Sequence, residues 1–387
     1  MDFEYSEEQE AVRQLAEQIF GDRASHERLK EVEAAAGEEG PFDQELWSSL
    51  AESGLLGIGL QEDVGGAGLD FVAVGLVLEA AGRTAAHVPV AETMAFAGPT
   101  LDRFGTAEQR QAWLPGAARG DAVLTAALAE LVGDVVVSGG SDPATTATRS
   151  DPGTWRLDGT KACVPAGLVA DLFLVPASLA VDGGEPAGRA VFLVPASAPG
   201  LTRTRQDGPL RPEALVELSG VEVKDDDILG GPSADAAAVL QHLSEHAVAG
   251  LCVVEAGACQ ATVRLIAEYT KTREQFGKPI ATFQAVGQRA ADAYVDAEAV
   301  RLTAWQAAWR LSAGLPAVAE VATAKFWAAD GGQRVVHAAA HLHGGVGVDR
   351  DYPLHRYFLL TEQIELTLGG ATESLLRLGA LLANDPA

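Results

Sequence analysis

Two short strings in this chain hold residue types suited to gripping a phosphorylated ligand. The first is Arg273-Glu274-Gln275-Phe276-Gly277-Lys278-Pro279-Ile280, followed by Phe283-Gln284. Arginine grips phosphate with a bidentate fork. Phenylalanine flanks flat rings, and glutamine offers a donor and an acceptor together. Gly277 and Pro279 alone would fit a helix–helix turn, with glycine at the C-cap and proline just beyond. That account leaves Arg273, Phe276 and Gln284 unexplained together. The second string is His341-Leu342-His343-Gly344-Gly345-Val346-Gly347. Closely spaced glycines let backbone N–H groups approach a pyrophosphate. By itself a glycine-rich turn is more often only a turn.

Other reactive residue types read as structure. Cys163, Cys252 and Cys259 form no CxxC pair, so no zinc or other metal site is expected. His337, His341 and His343 lack a carboxylate or cysteine at ligand spacing. His242 and His246 stand one helical turn apart beside Glu245, which suits a capping or surface role. Cys252 and Cys259 sit in an apolar helix as small hydrophobes. Trp305, Trp309 and Trp327 read as packing anchors between helices.

The elements that must position these strings follow from composition and period. The chain has 387 residues, and Lys+Arg 28 against Asp+Glu 54 gives a net charge of −26. That balance argues against nucleic acid, which needs clustered cations. No apolar run approaches the ~20 residues of a membrane span. The acidic start, Met1-Asp2-Phe3-Glu4, reads as neither signal nor transit peptide, so a cytoplasmic protein is expected. Residues 1–120 are helical in pattern and form the first expected domain. Ser6 and Gln9 fit a capping box, and Val12, Leu15, Ala16 and Ile19 share one face. The charged stretch from Gly21 to Gly40 breaks the period. Residues 121–231 change to short runs of Val, Leu and Thr. There Asp158-Gly159 predicts a hairpin between Trp155–Leu157 and Lys161–Val164, and Pro176, Pro195 and Pro199 are expected to close strands. Residues 232–387 return to the helical period. Helices segregated from strands give an α+β fold.

With that domain order, the two strings identify a resemblance to the acyl-CoA dehydrogenase family of flavoproteins. It spans nearly the whole chain. It runs from Phe3–Gln9 through Gln61-Glu62-Asp63-Val64-Gly65-Gly66-Ala67-Gly68-Leu69 and Trp155–Lys161 to the Arg-x-Gln-Phe-Gly-x-Pro-Ile-x-x-Phe-Gln string. The resemblance implies an N-terminal helical domain, a middle β-barrel-like domain and a C-terminal four-helix bundle. It implies FAD lying between subunits, an acyl-CoA substrate, and electron transfer to an electron-transfer flavoprotein. A glutamate takes the α-proton and the flavin takes the β-hydride. The adenosine diphosphate half of FAD is implied to touch Arg273, Phe276, Gln284, His341, His343, Gly344, Gly345 and Gly347 of the neighbouring subunit.

Departures from the family pattern fall elsewhere. The usual Tyr-Glu-Gly-Thr string lands on Thr367-Leu368-Gly369-Gly370, so the base position holds Leu368, or Gly369 if one gap is allowed. A second family location for the base falls on Ala247. Glu245, Glu365 and Glu373 are the carboxylates nearest in sequence. The Thr-Glu-Pro string that holds the flavin ring becomes Ala129-Glu130-Leu131, and Gly140-Ser141-Asp142 is displaced from it. The aromatic-Ile-Thr-Asn string becomes Cys163-Val164-Pro165-Ala166, and Pro165 has no N–H to donate. The chain therefore resembles the non-catalytic subunit of heteromeric actinobacterial steroid-type acyl-CoA dehydrogenases, needing a partner subunit. The alternatives are a homomeric dimer or tetramer with its base relocated to Glu245 or Glu365, and a scaffold without flavin.

Overall fold

The computed structural model describes residues 4–132, 135–138, 142–180 and 186–384. Phe3 and the Gly140-Ser141 pair lie outside the described residues. Helices α1 (Glu7–Arg23), α2 (His26–Ala34), α3 (Gln44–Glu52), α4 (Phe71–Thr84), α5 (Gly98–Phe104) and α6 (Ala107–Ala118) come first. Strands β1 (Leu124–Ala126), β2 (Ala129–Val132), β3 (Val135–Ser138), β4 (Thr146–Asp151), β5 (Thr154–Val164), β6 (Leu172–Ala180), β7 (Pro186–Pro195), β8 (Leu201–Gln206) and β9 (Glu213–Lys224) follow. Helix α7 (Ala236–Thr272) leads into a small ribbon of β10 (Glu274–Gln275) and β11 (Lys278–Pro279). Helices α8 (Gln284–Ser312), α9 (Val318–Phe326), α10 (Gly332–His343), α11 (Leu354–Leu366) and α12 (Ala371–Asn384) complete the chain. A π-helical turn, Trp327–Gly331, joins α9 to α10. This is the α+β architecture, with helices before and after one β region.

The N-terminal cap is as the sequence suggests. Gln9 N–H donates to Ser6 Oγ at 3.1 Å, and Ser6 N–H donates to Gln9 Oε1 at 3.0 Å. The charged stretch after Gly21 does not stay irregular, because it contains α2. Ser25 Oγ accepts from the Arg28 N–H, and Leu29 and Val32 are buried at helical spacing. Two apolar contacts and a cap outweigh the charges that hid this helix.

Spatially the chain forms two compact units. One gathers Met1–Glu31, Phe71–Ala86 and Val248–Ala387; the other gathers Val32–Asp70 and His87–Ala247. The first is helical. Among the described residues, the second holds a nine-stranded sheet with a path β1-β6-β4-β5-β2-β3. Strand β7 lies beside β6, and β9 joins β5 to β8.

Two strand expectations are corrected. Asp158-Gly159 is no hairpin turn: β5 runs straight through it, with a register shift against β9 between Leu157 and Asp158. Glycine is needed there for space, since a Cβ at 159 would lie 2.8 Å from Thr145 Cα. The β4–β5 turn instead uses Gly153, at φ +80. Pro176 does not close a strand but lies within β6. On one edge, β6 pairs with β1 at residues 172–174 and with β4 at residues 178–180. Pro176 falls in the gap, where no N–H is required.

Helix α7 is long and apolar enough to cross a membrane by length and composition, unlike the sequence expectation, but most of its apolar window is buried in the protein. It is a core helix of the fold.

Candidate functional site

The Arg273 string forms the hairpin directly after α7. Gln275 pairs with Lys278, leaving Phe276 and Gly277 as the turn, at φ +54 and +77. A non-glycine residue at positive φ is held there only by its surroundings. Ile280 N–H donates to Arg273 O at 2.8 Å and closes the loop. Phe276 is 92% exposed. Its ring meets Phe283 edge-on at 6.1 Å, and Lys278 Nζ lies 4.6 Å from the Phe283 ring. Arg273 and Gln284 are exposed. Among the described residues neither side chain has a hydrogen bond or ion pair. This is a ready set of donors beside a bare aromatic face.

The glycine string sits at the end of α10, and the fold brings it to the hairpin. Tyr269, in the last turn of α7, stacks on His343 with centroids 4.4 Å apart. Below them, Ile266 of α7, Ala293 of α8, Ala338, Ala339 and Leu342 of α10 and Leu354 of α11 share one buried cluster. His343 itself is buried. Its Nδ1–H donates to Ala339 O at 2.8 Å, and Nε2 lies 3.2 Å from the Tyr352 hydroxyl. Burial holds its pKa below the usual histidine range, so the ring is neutral. Both nitrogens are used internally, so His343 supports the turn rather than reaching a ligand. His341 is exposed and has no hydrogen bond among the described residues. Gly344, at φ +60, and Gly345 face open space, where a Cβ would meet nothing within 4 Å.

The other candidate positions behave differently. Leu368 has φ +59 and Gly369 φ +104, and neither carries a group that takes a proton. Ala247 is fully buried. Glu245 is buried, and its Oε1 accepts from Gln241 Nε2 at 2.9 Å. Burial, then Glu362, raises the Glu365 carboxyl, and its Oε2 is buried without a hydrogen-bond partner among the described residues. Glu373 is exposed.

Glu130 is fully occupied. Its oxygens accept from Lys161 Nζ at 2.5 Å, Ala144 N–H at 2.6 Å and Thr145 N–H at 3.0 Å. Burial alone would raise this carboxyl, but Lys161 and the amides hold it below the usual range. Burial pulls Lys161 down to about 8 despite that partner. Cys163, at φ +49, spends its N–H on Gln206 Oε1 at 2.7 Å. Pro165 O accepts from the Thr125 hydroxyl at 2.7 Å. No free N–H stands at residue 163 or 165.

His242 and His246 are not a surface pair. Their rings stack at 3.8 Å, and Thr100 Oγ1 lies 3.0 Å from His242 Nδ1. Burial holds His242 down to about 2 and His246 down to about 4, so both are neutral.

Sequence reasoning missed one buried cluster. Glu255, fully buried in α7, accepts at Oε1 from the Thr361 hydroxyl at 2.8 Å and Cys259 Sγ at 3.2 Å. Its Oε2 has no hydrogen-bond partner among the described residues. Burial pushes its pKa up to about 8. Gly332 leaves it room, since a Cβ there would lie 2.5 Å from Oε1. The only sequence signal was a charged residue inside an apolar helical run. A raised acid favours the fold while protonated, so its contribution is complete below the unfolded value and fades as pH rises toward 8. Glu255→Gln should therefore remove a stability decline of about 3 kcal/mol between pH 5 and 7.5. Denaturant unfolding at both pH values checks this. Wild type and variant falling in parallel would contradict it.

Three family models match the chain. They are described as the N-terminal, middle and C-terminal domains of acyl-CoA dehydrogenase, over residues 6–121, 137–219 and 238–380. The chain is 40% identical over 396 residues to acyl-CoA dehydrogenase FadE27 of Mycobacterium tuberculosis, covering 100% of both. It is similar to a chain of the ChsE4-ChsE5 complex from the same organism, with TM-score 0.89, 40% identity and 100% of both chains covered. It is also similar to a variant of the Tcur3481-Tcur3483 steroid ACAD, with TM-score 0.88, 42% identity and 98% of both chains covered.

Proposed function

The chain belongs to the acyl-CoA dehydrogenase family, and we propose that it is the non-catalytic half of a heteromeric FAD-dependent enzyme. In this reading it supplies contacts to the adenosine diphosphate half of the cofactor, while the partner supplies the base and the flavin-ring seat. One observation carries the reading. The donor side chains suited to a pyrophosphate, Arg273, Gln284 and His341, stand exposed and uncommitted among the described residues, and Gly344 and Gly345 leave open space in the turn. The positions that would hold a flavin ring and a base are spent or apolar: Cys163, Pro165, Leu368 and Gly369.

Bound FAD supplies a hydride acceptor for the dehydrogenation of an acyl-CoA thioester. This chain's residues bind and orient. Arg273 would grip the pyrophosphate with its fork, and the Gly345 N–H and His341 would donate to its oxygens. Phe276 and Phe283 would border the adenosine. His343 and Tyr269 keep the turn in place. The substrate class is a steroid-type acyl-CoA, a reading supported by the likeness to the Tcur3481-Tcur3483 steroid ACAD. An electron-transfer flavoprotein takes the electrons, and the complex works in the cytoplasm.

The partner is a second acyl-CoA dehydrogenase chain, as in the paired complexes that this chain resembles. Leu375, Leu376 and Leu382 of α12 and Val295 and Leu302 of α8 are exposed apolar residues that such a partner would cover. Purified alone, the chain is expected to dimerise yet hold little FAD, and to gain flavin only with its partner. Sedimentation with flavin absorbance measures both. Full FAD occupancy of the chain by itself would oppose the proposal.

A further inference from the structure

Lys325 is a buried cation aimed at a helix end. From α9 its Nζ donates to Ile364 O at 2.5 Å and to Glu365 O at 3.2 Å. These carbonyls belong to the last turn of α11, where intrahelical partners run out and a positive charge is favoured. The chain leaves α11 through an unusual turn. Thr367 N–H returns to Gln363 O at 3.0 Å, and Leu368 and Gly369 then take positive φ. A leucine in the left-handed region persists only where neighbours hold it. Beyond the turn, Ser374 N–H donates to Gly370 O as α12 begins. The third N–H of Lys325 has no acceptor among the described residues, and Glu255 Oε2, which its charge acts on, has no donor.

We propose that Lys325 is a positioning residue: by capping α11 it holds the left-handed Leu368 turn and sets the direction in which α12 leaves. This goes beyond the functional reading. It rests on that reading only for its consequence, namely that the turn carries the family's base position and α12 the apolar face a partner covers. The charged or titratable groups acting on Lys325 are Cys252 and Glu255 of α7, Glu365 of α11 and Glu373 of α12.

Amide hydrogen exchange of the purified chain tests it. In Lys325→Met, the amides of Thr367 and Ser374, which donate to Gln363 O and Gly370 O, should exchange at least ten-fold faster, while residues 335–343 of α10 keep wild-type protection. Lys325→Arg keeps a charged donor for the same carbonyls and should lose less protection than Lys325→Met. Wild-type protection of both amides in Lys325→Met would overturn the proposal, and so would equal loss in Lys325→Arg. If Lys325→Met fails to fold, Lys325→Arg against Lys325→Gln decides, the neutral side chain being expected to lose the more protection. Turnover by the isolated chain would remove the heteromer reading and leave these exchange results as they stand.

Discussion

Arg273→Ala is expected to strip FAD from the assembled complex. The guanidinium stands exposed, with no hydrogen bond or ion pair among the described residues, just beyond the end of α7. Once a partner covers it, its fork and the pyrophosphate form a charge pair screened from water. Removing one member of such a pair costs about 2–4 kcal/mol, or roughly 30- to 1,000-fold in affinity. Arg273→Lys keeps the charge but loses the fork, and should fall between wild type and alanine. Flavin content of the purified complex, at matched assembly state, is the measurement. Unchanged flavin would reject the assignment of Arg273.

Replacing this chain's own carboxylates should barely change the rate of the complex. Abstraction of a proton α to a thioester needs a base within hydrogen-bond reach, and losing one slows the reaction by about 10² to 10⁴. Glu245 is tied to Gln241 and buried. Glu373 is exposed, and its carboxylate lies against Gly369, where a Cβ would be 2.8 Å from Oε2. Glu365 is the strongest rival, because its carboxyl is raised by burial and one oxygen has no hydrogen-bond partner among the described residues. Each of Glu245→Gln, Glu365→Gln and Glu373→Gln should leave kcat of the complex within a few-fold of wild type. A drop of a hundred-fold from any one, with FAD still bound, would place the base here.

Much of the fold was legible because its signals are local. The Ser6 capping box, the change of period near residue 121 and its return near residue 232 each come from neighbouring residues. The Asp158-Gly159 error shows where local rules fail. The same dipeptide that suits a tight turn also suits a strand crowded by Thr145, and only the sheet decides between them. Helix α2 was hidden because two apolar residues among many charges give a weak period, while burial of Leu29 and Val32 is a tertiary effect.

The site was legible by type and less so by exposure. Arg273, Gln284 and the glycines stand out because no helix turn needs all of them together. His341 and His343 could not be told apart in the sequence. The stack on Tyr269 and the Tyr352 hydroxyl separate them, assigning His343 to support and leaving His341 free. Glu255 left only a charged residue inside an apolar helical run as its signal. It and Lys325 come from separate helices, and only packing makes the burial of both visible.

Turnover of the isolated chain, loaded with excess FAD and assayed on steroid-type and short-chain acyl-CoA thioesters with an artificial electron acceptor, tests the central claim most directly. The account predicts no turnover above a flavin blank, and activity only when a partner chain carrying a glutamate base is added. Sustained turnover by the chain alone, abolished by Glu365→Gln or Glu245→Gln, would contradict it.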